Sequence, residues 1–251
     1  MVTTSTEGPG NGEPAKVSDE VVERKQAIQG MFNAIAHRYD LANHLLSAGI
    51  DVYWRRRALG LVRANAPAAI LDLATGTGDF ALAARRLQPR CIVGADVALA
   101  MVRVGVPKVA VGPGAPIRLL GGDAEHLPFC DDSFDLVTAA FGVRNFGHIP
   151  AGLAEARRVL RPGGELLILD FTEPTIAGFR QLYRFYFRQV LPRVGGWISG
   201  NRQAYAYLPR SVGTFPQGQA FLDLMRDAGF TDNRHVSLTL GISAVYQGTR
   251  S

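Results

Sequence analysis

The stretch Leu71-Asp72-Leu73-Ala74-Thr75-Gly76-Thr77-Gly78-Asp79 decides the fold class of this chain. A short apolar run, residues 69–74, leads into it, and a helical pattern follows it. Glycines at such a junction let the backbone approach a ligand closely, and the first turn of the helix offers free N–H groups. The spacing Gly76-x-Gly78-x-x-Ala81 also fits the dinucleotide-binding fingerprint, and equally a tight turn that needs glycine. We therefore predict a strand, a glycine-rich loop and a helix, in that order.

Six more short apolar runs indicate further strands. They cover residues 91–96, 117–121, 134–138, 165–170, 233–239 and 242–247, and clear helical patterns cover 149–160 and 217–228. Continuous apolar runs are typical of strands buried on both faces, and their alternation with helices indicates a parallel sheet covered on both sides. The predicted fold is therefore α/β, with a mostly parallel, seven-stranded, Rossmann-like sheet flanked by helices.

The remaining segments add a tail and two helical extensions to one domain. Residues 1–16 are rich in Thr, Ser, Gly and Pro and offer little to bury, so we expect a disordered tail before a single domain over 17–251. Apolar periodicity predicts helices over 17–65 and over 174–215. We name residues 17–65 the lid and residues 174–215 the cap.

The composition excludes several classes of protein. With 47% hydrophobic and 20% charged residues, the 251-residue chain is not a mostly disordered one. No run approaches the ~18–20 apolar residues of a membrane span. The N-terminus has neither the basic leader nor the apolar run of a signal peptide, so we expect a cytoplasmic protein. Cys91 and Cys130 lack the paired spacing of a zinc site, which argues against a metal and for a reducing compartment.

Polar residues follow the next two predicted strands. Asp96 lies 20 residues after Gly76, where a carboxylate can accept both hydrogen bonds of a ribose diol or cap the following helix. Asp123 and Ala124 follow the third strand, where a loop can bind an adenine edge. The carboxyl ends of the strands in an open α/β sheet are where ligands bind. We therefore expect these residues to share one site.

This series resembles the class I S-adenosylmethionine-dependent methyltransferases more than the dehydrogenases. In that class the glycine loop holds the amino-acid part of the cofactor, and an acidic residue such as Asp72 precedes the loop. The resemblance implies S-adenosyl-L-methionine as the cofactor, bound by Asp72, Gly76, Thr77, Gly78, Asp96, Asp123, Ala124 and Ala140. An NAD-dependent oxidoreductase is the alternative from a different class.

Three longer motifs narrow the family. They are Tyr39-Asp-Leu-Ala-Asn43, Ala140-Phe-Gly-Val-Arg144-Asn145-Phe and Arg158-Val-Leu-Arg-Pro-Gly-Gly164. Together with later motifs they resemble the ubiquinone/menaquinone biosynthesis C-methyltransferases over residues 31–249. The resemblance implies methylation of a ring carbon on a prenylated quinol, either demethylmenaquinol or the benzoquinol precursor of ubiquinone. The chain departs from the family at Ala42, Asp51, Ala140 and Asp170, and Ala140 removes the hydroxyl of one expected contact.

The resemblance assigns three residues to catalysis. Arg144 keeps its proton in proteins, so we expect it to stabilise a quinolate, with a water accepting the proton, rather than to act as a base. The alternative is a structural ion pair with Asp123 or Asp135. Asn145 fixes a ring hydroxyl or caps a turn. Tyr39 belongs to a lid that closes over the cofactor, or it serves helix packing.

The formal net charge of +5 is concentrated in one segment. Residues 174–222 contain six arginines and ten of the 22 aromatic residues, but no Asp or Glu. Such a surface can bind single-stranded nucleic acid, anchor a helix at an anionic membrane, or be a solvated face above an aromatic core. Given the resemblance, we expect a prenylated quinol as partner, peripheral contact with the inner face of the cell membrane through 174–222, and no nucleic acid. The oligomeric state stays open, with a homodimer as one option.

Overall fold

The computed structural model describes residues 19–47, 49–64, 66–199 and 202–251. The strands are β1 (Ala69–Leu73), β2 (Cys91–Asp96), β3 (Ile117–Gly121), β4 (Phe134–Ala140), β5 (Leu160–Phe171), β6 (Phe230–Leu238) and β7 (Ser243–Arg250). The helices are α1 (Asp19–Ile35), α2 (Tyr39–Leu46), α3 (Ile50–Leu59), α4 (Asp79–Ala84), α5 (Leu99–Ala110), α6 (Ile149–Val159), α7 (Ala177–Phe185), α8 (Leu191–Ser199), α9 (Arg202–Thr214) and α10 (Gln219–Asp227). The predicted disordered tail, residues 1–16, lies outside the described residues.

The strands form one sheet in the order β3-β2-β1-β4-β5-β7-β6. Strands β1 to β5 run parallel, and β7 is antiparallel to both β5 and β6. The predicted mostly parallel, seven-stranded sheet is confirmed. Several strand boundaries differ from the predicted ones, most of all in β5. Leu160 already pairs with Phe134, and residues 161–164 bulge out before Glu165 resumes the pairing opposite Leu136. As a result β5 begins at Leu160 rather than at the predicted residue 165.

The strand order reverses at β1, which opens a crevice at the carboxyl ends of β1 and β4. Strands β2 and β3 lie on one side of β1 and strands β4 and β5 on the other, so the loops after β1 and β4 lead to opposite faces of the sheet. Ala74 and Gly142, just past these two strands, meet across the crevice. A Cβ on Gly142 would lie 2.4 Å from the Cβ of Ala74, so this position requires glycine.

Helices cover both faces of the sheet. On one face α6 and α10 pack against a layer that includes Leu71 and Leu73, and on the other α3 and α4 pack against a layer that includes Ile70. All three of these β1 side chains are buried. The apolar run of β1 is therefore a strand buried on both faces, as predicted, whereas the edge strands β3 and β6 are partly exposed.

The lid and the cap pack together with α5. The described part of the lid is α1 to α3, and the cap is α7 to α9 with one π-helical turn, Tyr186–Val190, between α7 and α8. Their common apolar cluster is formed by Ile35, Met101, Tyr183, Phe187 and Leu191. Within the described ranges, no helix combines the length and the apolar character needed to cross a membrane.

Candidate active site

The glycine-rich loop after β1 rests on Asp96 at the end of β2. The Gly76 N–H donates to Asp96 Oδ2 at 2.8 Å, and the Ala98 N–H donates to Oδ1 at 2.8 Å. Burial raises the pKa of the Asp96 carboxyl above its ordinary value, although both hydrogen bonds act to lower it. Gly76 has a φ of +57°, and a Cβ there would point into open space. The backbone of the loop is therefore open to a ligand.

A cavity of about 660 Å³, which we name the cofactor cavity, lies at the carboxyl ends of β1 to β4 beneath α1. Its volume falls within the ~300–1,000 Å³ range of small-molecule sites. Five of the predicted cofactor residues line it, namely Gly76, Asp96, Asp123, Ala124 and Ala140. The other three, Asp72, Thr77 and Gly78, do not line this cavity.

Asp72 is the buried support of this loop. Its side chain is fully buried and accepts hydrogen bonds from Thr75 Oγ1 at 2.6 Å and from Thr138 Oγ1 at 2.8 Å. Burial raises the pKa of Asp72 to about 6, against these hydrogen bonds. Its carboxylate therefore ties the loop to β4 and does not reach the cavity.

Asp123 forms an ion pair with a lid residue that was not predicted from the sequence. Lys25 Nζ of α1 lies 2.6 Å from Asp123 Oδ2 and 2.9 Å from Glu125 Oε2. Burial acts to raise the pKa of Asp123, but the bonds from Lys25 and the Glu125 N–H outweigh it and bring the pKa below its ordinary value. Lys25 lines the cavity together with Asp123. No local pattern predicts this pair, because its members lie 98 residues apart.

A second group ties the lid to the glycine-rich loop. Thr77 Oγ1 donates to Asp40 Oδ1 at 2.6 Å, and Lys108 Nζ lies 2.6 Å from Asp40 Oδ2. Lys108 also bonds Asp79 at the start of α4. Asp40 begins α2 together with Tyr39, whose side chain lines the cofactor cavity. The start of α2 is therefore held above the loop.

Arg144 is buried in the turn after β4, and its ion-pair partner is Asp170 at the end of β5. Arg144 Nη1 lies 2.7 Å from Asp170 Oδ1 and also donates to the Phe141 carbonyl, while Nε donates to Ser211 Oγ at 3.3 Å. Among the described residues no acceptor is bound to Nη2, which leaves these N–H groups for a ligand.

The two ion-pair partners considered for Arg144 from the sequence were wrong. Asp123 pairs with Lys25, and Asp135 pairs with Arg161 at 2.5 Å. The actual partner follows from the neighbouring positions of β4 and β5 in the sheet.

A second cavity of about 500 Å³, which we name the apolar cavity, lies between the lid and the cap. Arg144 lines it, and its other walls are mostly aliphatic and aromatic. Phe32, Tyr39 and Phe141 line both cavities. Phe141 has a φ of +60°, a left-handed conformation that costs a non-glycine residue about 1–3 kcal/mol. A cavity that several charged side chains line and a more apolar cavity thus meet at one aromatic wall.

Two further polar groups border these cavities. Asn145 lines the cofactor cavity, and its Oδ1 accepts a hydrogen bond from the Tyr207 hydroxyl of α9 at 3.1 Å. Asp51 lines the apolar cavity, with Ser47 Oγ 2.6 Å from its Oδ1 and Arg55 bonded to Oδ2. Burial acts to raise the pKa of Asp51, but Ser47 and Arg55 hold it below its ordinary value. In the sequence Asp51 stood out solely as a departure from the family.

Comparisons with known proteins give one family. The model of the ubiE/COQ5 methyltransferase family matches residues 20–250. The demethylmenaquinone methyltransferase of Thermus thermophilus is 49% identical, over 88% of this chain and all of the relative. The ubiquinone/menaquinone biosynthesis C-methyltransferase UbiE of Geotalea daltonii is 45% identical, over 92% of this chain and 99% of the relative.

Solved structures agree on the fold. A SAM-dependent methyltransferase of Thermotoga maritima superposes with a TM-score of 0.64 at 19% identity, covering 89% of this chain and all of that one. The phosphoethanolamine N-methyltransferase 2 of Haemonchus contortus, in complex with S-adenosyl-L-methionine, superposes with a TM-score of 0.55 at 15% identity. The match covers 80% of this chain and 52% of that one.

Proposed function

The chain belongs to the ubiE/COQ5 methyltransferase family, as its motifs predicted, and we propose that it transfers the methyl group of S-adenosylmethionine to a ring carbon of demethylmenaquinol. The observation that carries this proposal is the common wall of the two cavities. A cavity with several charged side chains in its wall suits the cofactor, a more apolar one suits a prenylated ring, and Phe32, Tyr39 and Phe141 border both. Donor and acceptor therefore meet at these side chains.

The residues of the cofactor cavity fit S-adenosylmethionine. The open backbone at Gly76 accommodates the amino-acid part, Asp96 offers a carboxylate to a ribose diol, and Asp123 with Ala124 borders the adenine. The bound cofactor supplies a methyl group already activated by its sulfonium charge. The protein must then align this methyl group with the acceptor carbon and make that carbon nucleophilic.

In this step Arg144 stabilises the negative charge on the quinol oxygen. When one quinol hydroxyl loses its proton, the oxygen pushes electron density onto the neighbouring ring carbon. That carbon gains the methyl group and then gives up its own proton, which restores the aromatic ring. The Nη2 group of Arg144 stabilises the negative oxygen from the wall of the apolar cavity, and a guanidinium there does not take up the proton itself. Water accepts the proton that the quinol hydroxyl loses.

Asn145 and Tyr39 orient the ring. Asn145 lies next to Arg144 in the turn after β4, and its amide nitrogen remains available as a donor while its oxygen is bound by Tyr207. Tyr39 borders both cavities and closes the site when α2 is held down by Lys108.

A methyl-transfer assay tests the proposal. The full chain is incubated with methyl-labelled S-adenosylmethionine and either a short-chain demethylmenaquinol or the matching benzoquinol precursor of ubiquinone. We expect label in the naphthoquinol ring, and label in the benzoquinol as well if the chain serves both pathways. Calorimetric titration with S-adenosylmethionine and with NADH separates the oxidoreductase alternative. Binding of NADH alone, without methyl transfer, would overturn the proposal.

The exposed side chains at the opening of the apolar cavity suit contact with a membrane surface. Leu182 of α7 lines the cavity and is 63% exposed, so it lies at the edge, and Phe185 beside it is 59% exposed. Arg180 and Arg188 are exposed on the same helix and the turn that follows, while Arg184 pairs with Glu173 at 2.8 Å. Exposed apolar side chains among cations suit an anionic lipid surface, from which a prenyl chain enters the cavity.

Vesicle sedimentation tests this contact. The protein is mixed with vesicles of phosphatidylcholine alone or with phosphatidylglycerol added. We expect binding to the anionic vesicles and its loss in the double variant Leu182→Ser, Phe185→Ser. Val111→Ser is the matched control, because Val111 is 67% exposed, lies in the loop between α5 and β3, and lines neither cavity. Equal sedimentation of the double variant and the wild type would refute the contact.

A further inference from the structure

One phenol in the wall of the apolar cavity has a hydroxyl without a partner. Tyr183 of α7 is 6% exposed, and its ring packs on Phe187 with the ring centroids 4.1 Å apart. Its hydroxyl is shielded from solvent, and no residue of the described ranges bonds to it. A buried hydroxyl without a partner is unfavourable, so folded proteins rarely leave one unbonded. An unbonded hydroxyl beside a cavity indicates a group that acts when the cavity is filled.

Two other tyrosine hydroxyls of the described residues are paired. The Tyr246 hydroxyl accepts the Gly218 N–H at 2.9 Å, and the Tyr207 hydroxyl donates to Asn145. The lack of a partner at Tyr183 therefore does not reflect a general looseness of packing.

The charges around Tyr183 define what its hydroxyl can do. Burial raises the pKa of Tyr183 well above its ordinary value, and the Glu173 carboxylate raises it further, while Arg144 acts to lower it. The phenol therefore stays protonated and is a hydrogen-bond donor. Tyr183 and Arg144 both line the apolar cavity, so one ring bound there can be reached by both side chains.

We propose that the Tyr183 hydroxyl and Arg144 Nη2 together bind the negative oxygen of the quinolate. Two donors aimed at one developing charge act as an oxyanion hole does, and they favour loss of the quinol proton. Because the hydroxyl is buried in the cavity wall, the quinol ring must shift neighbouring side chains slightly to reach it, a common adjustment on binding. The inference rests on the proposed function, and it adds a second catalytic donor supplied by the cap.

The variant Tyr183→Phe tests this role while keeping the ring. With short-chain demethylmenaquinol we expect kcat/KM to fall about 10- to 100-fold, the value of a hydrogen bond to a charged group. The acid limb of the kcat profile should move to higher pH, because the bound quinol then loses its proton less readily. Cofactor affinity should stay unchanged. The unfolding temperature should hold or rise, because the change removes an unpaired polar group.

Tyr246→Phe is the matched control. It removes a paired hydroxyl that does not line either cavity, so we expect a lower unfolding temperature with unchanged kinetics. A Tyr183→Phe enzyme within twofold of wild-type kcat/KM, or one that is less stable with an unmoved pH profile, overturns the inference. If the wild type transfers no methyl group, the proposed function fails. In that case quenching of intrinsic fluorescence by the quinol compares affinities directly, and equal affinities of variant and wild type overturn the inference as well.

Discussion

Replacing Asp72 by Asn should stabilise the protein, although Asp72 is hydrogen-bonded on both oxygens. Burial raises the pKa of this carboxyl to about 6 from an ordinary value of 3.8. At about 1.4 kcal/mol for each pKa unit, the ionised form costs the folded state about 3 kcal/mol. Asparagine has nearly the same shape and carries no charge, so it removes this cost.

The gain should depend on pH with a definite sign. Since the pKa is higher in the folded protein than in the unfolded chain, the folded protein holds the proton more tightly. Below pH 3.8 both states are protonated and the cost disappears, while between pH 3.8 and about 6 the wild type loses stability as pH rises. We therefore expect Asp72→Asn to raise the free energy of unfolding by about 3 kcal/mol at pH 8 and by about half as much at pH 5.

Urea unfolding followed by intrinsic fluorescence at pH 5 and pH 8 measures both values. Asp135→Asn is the matched control, because the Asp135 carboxyl accepts the N–H groups of Ala68 and Ala69 and pairs with Arg161, which lower its pKa despite partial burial. This control should lose about 1–3 kcal/mol at pH 8. If Asp72→Asn is no more stable than the wild type at pH 8, or gains equally at both pH values, the carboxylate is not the source of the cost.

Three further changes test the site. Asp96→Asn should weaken cofactor binding about 10- to 100-fold, measured by calorimetry, because the carboxylate proposed to accept the hydrogen bonds of the ribose diol is lost. Unchanged affinity would show that Asp96 does not bind the cofactor. Arg144→Lys keeps the charge opposite Asp170 but loses the forked N–H groups of the guanidinium. In the methyl-transfer assay kcat should therefore fall about 10²–10³-fold, while cofactor affinity stays within about twofold. A fully active variant would contradict the role of Arg144. Lys108→Met removes the ion pair to Asp40 and leaves the Thr77 hydroxyl bond at the start of α2, so limited proteolysis should cleave the lid faster. An unaltered cleavage rate would show that Lys108 does not hold the lid.

The first five strands, their mostly parallel arrangement and the position of the glycine-rich loop were predicted from the sequence. Apolar runs, glycine placement and helix periodicity are set within a few residues by sterics and burial, so they can be read locally. The loop at Gly76, the position of Asp96 and the crevice at the carboxyl ends of the strands all follow from such local patterns. The family motifs then supplied the cofactor and the class of substrate.

The sequence by itself therefore determined the sheet, the loop and the family, whereas the tertiary structure decided which charges meet. Arg144 pairs with Asp170 across neighbouring strands, and Lys25 of α1 reaches Asp123 from 98 residues away. The same packing places Tyr183 and Arg144 in the wall of one cavity and leaves the Tyr183 hydroxyl without a partner among the described residues. The physical reason is that an ion pair or an orphaned hydroxyl depends on how distant elements pack, and no local periodicity encodes that packing.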